Sequence, residues 1–243
     1  MQKDGRLVAL VAATNNHGQI DHYGMPLRIS IRRGLSSRDT KMAFVQIFEK
    51  MKDMSQRYKA EKVIVLGGEC GKPPSAIDRE MIRRMATPSL RIHGISDLSG
   101  GHAPIQRAIR KSYRSLINWG RKTFRMDYVT AKNLDYNLFQ EFPDFHSRIA
   151  GQEQYGTALW RVFWQEIVRG KAELSLGFID DDKLAAAVFI ADAERTSYYV
   201  SGVFDRTHFD KPISHFPLYD AMLRATNRGI KIFTPFNAAI ETT

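Results

Sequence analysis

Residues 107–122 combine basic and aromatic side chains in a pattern that suits the binding of phosphate groups. Seven basic residues lie between Asp97 and Asp127, with no carboxylate among them. The planar guanidinium of arginine pairs with two phosphate oxygens at once, and lysine adds a point charge. The alternatives are a solvated helix face for the basic residues and core packing for the aromatic ones. We predict that the following residues contact a substrate: Arg110, Lys111, Tyr113, Arg114 and Trp119.

Two histidines and one aspartate are candidates for moving protons. His146 and His215 have imidazoles that titrate near neutral pH, so either is a candidate acid or base. Asp205 directly follows the stretch YYVSGVF (198–204), where a loop would present it to a pocket. We predict His146, Asp205 and His215 as catalytic, and Tyr199 as substrate-binding. A structural histidine, and a turn or helix-cap aspartate, are the alternatives.

Apolar periodicity predicts the elements that position these residues. Three strands joined by short turns are predicted from KAELSLGFI (171–179), LAAAVFIAD (184–192) and RTSYYVSGVF (195–204). Their closeness indicates an antiparallel meander. Gly120 is expected to stop the first helix of this part, and Pro143 to interrupt the second. The remaining predicted elements are helices over 105–120, 135–151, 156–170 and 215–229, and strands at 122–130 and 230–233.

The first hundred residues predict a smaller β-β-α-β-α arrangement. Strands are expected at 6–13 and 62–68, and a helix over 36–59 is expected to begin with a capping box of Ser36 and Asp39. The stretch SDLSGGHAP (96–104) has the composition of a boundary. We therefore predict two domains, 1–100 and 101–243, in a mixed α/β (α+β) fold.

Composition narrows the functional classes. Of the 243 residues, 43% are apolar, which is enough for a core, and the net charge is +10. A positive surface favours phosphate-bearing partners without choosing among them. Because the chain has a single cysteine, Cys70, it cannot form an intrachain disulfide framework. The histidines are scattered along the sequence, so we do not expect a metal site. Without an apolar run of 18 residues we expect no transmembrane segment, and a cytoplasmic protein.

Three stretches, in their order along the chain, resemble the second domain of Fem-type (FemAB-like) transferases, a branch of the GNAT-like acyltransferase superfamily. They are IRKSYRSLINWG (109–120), FHSRIAG (145–151) and YYVSGVFDRTHFDKPISHFPLYDAMLRATNRGIKIF (198–233). The resemblance covers residues 105–233 and implies a GNAT-like mixed sheet with flanking helices. It further implies that a partial first GNAT-like unit precedes this second one.

The resemblance also implies an activity. It is transfer of an acyl or aminoacyl group to an amine or hydroxyl of a cell-wall or surface-polysaccharide precursor. The implied donor is acyl-CoA or aminoacyl-tRNA, and the implied partner is a nucleotide-linked sugar or peptidoglycan precursor. The chain departs from the family after FHSRIAG, where GQEQYG (151–156) replaces an arginine-rich stretch. A nucleic-acid or polyanion-binding protein and a non-catalytic scaffold of the same fold remain alternatives.

Overall fold

The chain separates into two compact units, one built from the described residues up to 89 and one from those after 93. Cys70 lies outside the described residues. The division into domains 1–100 and 101–243 stays a prediction. The computed structural model describes residues 2–3, 6–16, 18–22, 26–68, 72–89, 94–153, 155–180 and 182–234.

The first unit packs one long helix against short strands. Its elements are β1 (Gln2–Lys3), β2 (Arg6–Leu7), β3 (Ala9–Leu10), β4 (Thr14–Asn16), β5 (Gln19–Asp21), β6 (Ser30–Ile31), α1 (Ser37–Arg57), β7 (Lys62–Val63) and α2 (Ala76–Arg83). The predicted helix over 36–59 is confirmed, and the Ser36 hydroxyl accepts a hydrogen bond from the Asp39 amide at 3.0 Å. The predicted strand over 6–13 is wrong in length, because β2 pairs with β1 whereas β3 pairs with β6.

The second unit contains the predicted meander. Its elements are β8 (Ser96–Asp97), α3 (His102–Ala108), α4 (Lys111–Thr123), β9 (Arg125–Val129), α5 (Tyr136–Ala150), α6 (Thr157–Val168), β10 (Ala172–Ile179), β11 (Lys183–Ala193), β12 (Thr196–Phe204), a short 3-10 helix (Arg206–His208), α7 (His215–Asn227) and β13 (Ile232–Thr234). The sheet order is β8-β13-β12-β11-β10-β9. Its neighbours are antiparallel except β12 and β13, which are parallel and connected through α7.

Helices cover both faces of this sheet. Along β11, Ala186, Val188 and Ile190 point toward the cluster that includes residues of α4 and α7. The alternate residues Ala187 and Phe189 point toward the aromatic cluster of α5 and α6. Because successive side chains of a strand face opposite ways, burial on both faces explains the uninterrupted apolar run 184–191 within β11.

α4 differs from its predicted bounds at both ends. The helix continues through Gly120 to Thr123, so the predicted stop at Gly120 is wrong. A Cβ at Gly120 would overlap Phe216, so glycine serves here to let α4 and α7 approach closely. The single helix predicted over 105–120 is also wrong, because Ile109 and Arg110 are extended and separate α3 from α4.

α5 continues through Pro143, where an interruption was predicted. Proline inside a helix costs about 3 kcal/mol, since it removes one hydrogen bond and crowds the preceding turn. The same helix buries Phe139, Phe142 and Phe145 almost completely. Burying each large apolar side chain stabilises the fold by about 1.5–3 kcal/mol, so the packing outweighs the proline.

Asp135 caps α5, and we expect Asp135→Ala to lower the unfolding free energy by about 1 kcal/mol. The reason is that its carboxylate accepts a hydrogen bond from the Leu138 amide at 2.9 Å. Urea unfolding followed by circular dichroism would measure the change. Asp144→Ala, at an exposed position within the same helix, is the matched control and should change stability by less than about 0.5 kcal/mol. Equal effects of the two substitutions would contradict the capping role.

Candidate functional site

The carboxyl end of β12 is the candidate site. β13 pairs with β12 over Thr196–Tyr198, and β12 extends to Phe204. β12 and β13 are the parallel pair of this sheet, and ligands of α/β folds bind beyond the carboxyl ends of parallel strands. The crossover helix α7 begins at this end of β12, so its first turn borders the same region.

A β-bulge interrupts β12 at the middle of the strand, just beyond its last described pair with β13. Phe189 of β11 lies opposite Ser201, and the next residue Ile190 lies opposite Tyr199, which leaves Val200 as the extra residue. Bulges redirect local backbone and side-chain groups and are frequent beside active sites. Val200 is exposed, with 42% of its surface accessible. The bulge thus supplies irregular backbone at Val200, four residues before the end of β12.

Tyr199 is the substrate-binding candidate on β12 itself. Its ring lies over Gly202, where any Cβ would overlap the phenol. Burial raises the pKa of Tyr199 well above its ordinary value, and the neighbouring Tyr155 raises it further. Tyr199 is therefore a neutral phenol at physiological pH, able to donate or accept a hydrogen bond but not to act as a base.

His146 lies in an aromatic enclosure and is only 6% exposed. Its ring centroid is 6.0 Å from that of Phe142, 5.0 Å from Tyr155 and 5.6 Å from Trp160. Burial lowers the pKa of His146, because the enclosure disfavours the charged imidazolium. Its Nδ1 makes no hydrogen bond within the described chain. The side chain is thus a neutral imidazole with an unengaged ring nitrogen.

Asp205 caps the 3-10 helix that follows β12. Its carboxylate accepts hydrogen bonds from the Thr207 amide at 2.9 Å and the Thr207 hydroxyl at 2.8 Å. Burial by itself would raise the pKa of Asp205, but these hydrogen bonds, with the charges of His208 and Arg148, outweigh it and lower the pKa. α5, the helix that contains Arg148 and His146, packs against β12.

His215 is the first residue of α7, on the other face of the sheet. Its ring is 5.2 Å from that of Tyr113 of α4, and its Nδ1 has no hydrogen-bond partner among the described residues. α7 begins without a side-chain hydrogen bond to its first turn. The positive end of the helix dipole therefore faces a region that suits a negative group.

The predicted site residues fall into two groups. His215 contacts Tyr113 on the face covered by α4 and α7, Tyr199 and Asp205 lie on and directly after β12, and His146 packs among aromatic residues on the opposite face; the roles of all five stay predictions. The others lie elsewhere on α4. Trp119 packs against the core with its ring 6.1 Å from Phe124, and Arg110 and Lys111 are exposed at the start of the helix. Arg114 donates hydrogen bonds to the backbone carbonyls of Ile109 and Arg107.

Sequence reasoning missed Tyr155 and a buried ionic network. Glu173 of β10 is 4% exposed and forms ion pairs with Arg224 and Arg228 of the α7 region, the latter at 2.8 Å. Arg228 also pairs with Asp192 at 2.8 Å. Glu173, Ser175 and Gly177 alternate with large apolar residues along β10, a pattern that could have indicated a polar stripe. Tyr155 lies in a loop without periodicity, so no signal could have found it.

Two further groups extend this network. The Tyr128 hydroxyl donates to the Asp220 carboxylate at 3.0 Å, and the Arg224 guanidinium lies 3.6 Å from the centre of the Tyr128 ring. Burial raises the pKa of Asp220, although the hydrogen bond from Tyr128 and the charge of Arg224 oppose the rise. The network connects α7 to the sheet and so fixes the helix whose first turn borders the site.

The described residues were also compared with the requirements of a membrane-spanning helix and of a metal site. No helix in them is both long and apolar enough to cross a membrane. Among the same residues, no three His, Cys, Asp or Glu side chains are grouped so as to hold a metal ion.

Comparisons with known proteins define the fold. No protein-family model matches the chain, and no curated protein matches it by sequence. Among solved structures it is similar to L-PGS from Bacillus licheniformis, with a TM-score of 0.57 and 13% identity over 97% of this chain and 68% of that one. It is also similar to FemX, with a TM-score of 0.54 and 12% identity over 96% of this chain and 80% of the other.

A third similar structure is a tandem GNAT protein from the clavulanic acid biosynthesis pathway. Its TM-score is 0.56, with 12% identity over 99% of this chain and 74% of that protein. The predicted mixed α/β fold is confirmed by the sheet and its flanking helices. The chain therefore has the GNAT-like fold shared by FemX, L-PGS and the tandem GNAT protein.

Proposed function

We propose that this protein transfers an acyl or aminoacyl group to an amine or hydroxyl at the end of β12. The observation that supports it most is His146, a buried neutral imidazole with an unengaged nitrogen on α5, a helix that packs against β12. An attacking amine must lose a proton as it bonds to a carbonyl carbon, and a neutral histidine is the side chain best suited to accept that proton near pH 7.

The remaining groups have roles in the same reaction. The new bond joins the acceptor nitrogen or oxygen to the carbonyl carbon, and the bond from that carbon to the donor's leaving oxygen or sulfur breaks. Negative charge develops on the carbonyl oxygen, and redirected backbone N–H groups at the Val200 bulge would stabilise it. The proton taken up by His146 can return to the leaving group. Tyr199, neutral at this pH, would orient a substrate by hydrogen bonding.

We propose the donor and the acceptor from the similar solved structures and from the Fem-type sequence resemblance. The tandem GNAT structure is described as one without AcCoA, which makes acetyl-CoA the first donor to test. The Fem-type resemblance adds aminoacyl-tRNA as donor and a nucleotide-linked cell-wall or surface-polysaccharide precursor as acceptor. L-PGS and a putative lysylphosphatidylglycerol synthetase domain have the same fold, so the free hydroxyl of a phosphatidylglycerol headgroup is a further acceptor to include.

A ligand scan followed by a transfer assay tests this function. We expect one donor to raise the melting temperature at about 0.15 M salt, since a ligand bound only to the folded state at 100 times its Kd adds about 2.7 kcal/mol. With that donor, mass spectrometry should detect the acceptor enlarged by the acyl group. Equal stabilisation by every polyanion without product would favour the polyanion-binding alternative. If no ligand stabilises the protein and no product forms, the result would favour the non-catalytic scaffold.

A further inference from the structure

A groove separate from the end of β12 lies among α3, α4 and α7, with a volume of about 350 Å³. Three arginines line it: Arg107 from α3, and Arg114 and Arg121 from α4. Arg114 and Arg121 are two helical turns apart, about 10.5 Å along the axis, so they lie on one face. Arg110 and Lys111, the residues first predicted to hold phosphates, are not among the lining residues.

The groove gathers positive charge without compensation. None of its lining residues is acidic, and the whole stretch 98–126 lacks Asp and Glu. Arg107 and Arg121 are exposed and form no ion pair within the described residues. Like charges held close together repel one another, and a bound anion would relieve this repulsion. Such an arrangement favours a ligand with more than one negative charge.

Arg114 is held in place before any ligand binds. Its Nε donates to the Ile109 carbonyl at 3.3 Å and its Nη2 to the Arg107 carbonyl at 3.2 Å. These carbonyls lie at the break between α3 and α4, where helical partners are missing. A guanidinium has five N–H donors, so Arg114 can stabilise the break and still bind a phosphate. Fixing a binding group in advance reduces the entropy lost on binding.

The remainder of the lining suits a flat, partly apolar group. Ile117 and Tyr219 are 8% and 6% exposed and form an apolar base with Ile109. The side-chain amides of Gln106 and Asn118 also line the groove. Amides can hydrogen bond the edge of a nucleobase, and small-molecule sites combine apolar walls with a few such polar groups. The volume lies within the range of about 300–1,000 Å³ typical of such sites.

We propose that this groove binds a nucleoside diphosphate group, with the phosphates on the three arginines and the base on the apolar floor. Free nucleotides, nucleotide-linked sugars and acyl-CoA all contain this chemistry. The proposal does not depend on the transfer reaction, because it concerns binding alone. Tyr219 follows His215 by four residues on α7, so the groove and the end of β12 are adjacent along that helix.

Calorimetric titration with ADP and with inorganic pyrophosphate tests the proposal on the full chain at about 0.15 M salt. ADP is expected to bind, and more tightly than pyrophosphate, because the floor adds contacts to the base. Arg107→Ala and Arg121→Ala should each weaken ADP binding about tenfold, the usual effect of losing a hydrogen bond between charged groups. Arg114→Ala is unsuitable, since it would also disturb the helix break.

Arg161→Ala is the matched control, because Arg161 is exposed on α6 at the opposite face of the sheet. It should leave ADP binding unchanged. The proposal fails if ADP and pyrophosphate do not bind, or if the control weakens binding as much as the groove variants. It also fails if an oligoadenylate RNA binds through Arg107 and Arg121 while ADP does not. Competition by acetyl-CoA or a UDP-sugar would identify the source of the diphosphate.

Discussion

His146→Phe is expected to reduce the rate of acyl or aminoacyl transfer by about 10²–10⁴-fold, the usual contribution of a general base. The fold should tolerate the change. Phenylalanine keeps an aromatic ring within the enclosure of Phe142, Tyr155 and Trp160, and it removes a buried nitrogen that has no hydrogen-bond partner among the described residues. Stability should therefore change by less than about 1.5 kcal/mol. Turnover and urea unfolding, measured on one preparation, separate the two effects.

The pH dependence gives a second readout of His146. Burial holds its pKa below the ordinary value of 6.5, so kcat/KM should rise with pH to a plateau reached below neutrality. The unfolded chain binds a proton at this histidine more readily than the folded chain does. The unfolding free energy therefore falls as pH decreases through this range, and the fall should be smaller in His146→Phe.

His102→Phe is the control for His146, because His102 is exposed at the start of α3. It should leave both turnover and the pH profile unchanged. Loss of a general base should reduce turnover far more than about threefold. If turnover of His146→Phe stays within about threefold of the unsubstituted protein, the imidazole therefore has a structural role. His215, the other histidine with an unengaged Nδ1, would then be the next candidate base.

Glu173→Gln is expected to lower the unfolding free energy by about 3 kcal/mol, since removing one partner of a buried ion pair leaves the other charges uncompensated. Glu173 pairs with both Arg224 and Arg228, whose side chains are only 28% and 29% exposed. Glutamine keeps the size of the side chain but not its charge. For a chain of this length the melting temperature should fall by about 6–12 °C.

Glu166→Gln provides the comparison for Glu173. Glu166 pairs with Arg169 at 2.7 Å on α6, but the arginine is 64% exposed. Water already solvates this pair, so its loss should cost less than about 1 kcal/mol. Similar losses in the two variants would show that the buried network contributes no more than a surface ion pair.

Local sequence was sufficient to predict the central meander. β10, β11 and β12 each begin and end within about one residue of the predicted strands, because apolar runs bounded by turn residues leave few alternatives. Asp180 and Asp182 have positive φ values of 42° and 72°, as a tight turn requires. The helix after β12 was predicted for the same reason, with Gly229 directly after its last turn.

Residues whose environment comes from distant parts of the chain could not be predicted in this way. Glycine and proline normally end helices, yet Gly120 lies inside α4 and Pro143 lies inside α5. Glycine is needed at position 120 because a Cβ there would overlap Phe216. The burial of the phenylalanines of α5 outweighs the free-energy cost of Pro143. Arg107, Arg114 and Arg121 have a seven-residue spacing visible in the sequence, but their groove exists only where α7 packs against α3 and α4.

The sequence by itself determined the order of the elements from β9 onward, the sheet meander and the residue types available for chemistry, because these depend on local periodicity and turn chemistry. Only the tertiary structure decided which of these residues contact one another. His146 is neutral because three aromatic residues, Phe142, Tyr155 and Trp160, surround it and disfavour the charged imidazolium. Glu173 is buried in a strand because Arg224 and Arg228 neutralise its charge. Burial and charge pairing are properties of neighbours in space, and those neighbours are set by packing.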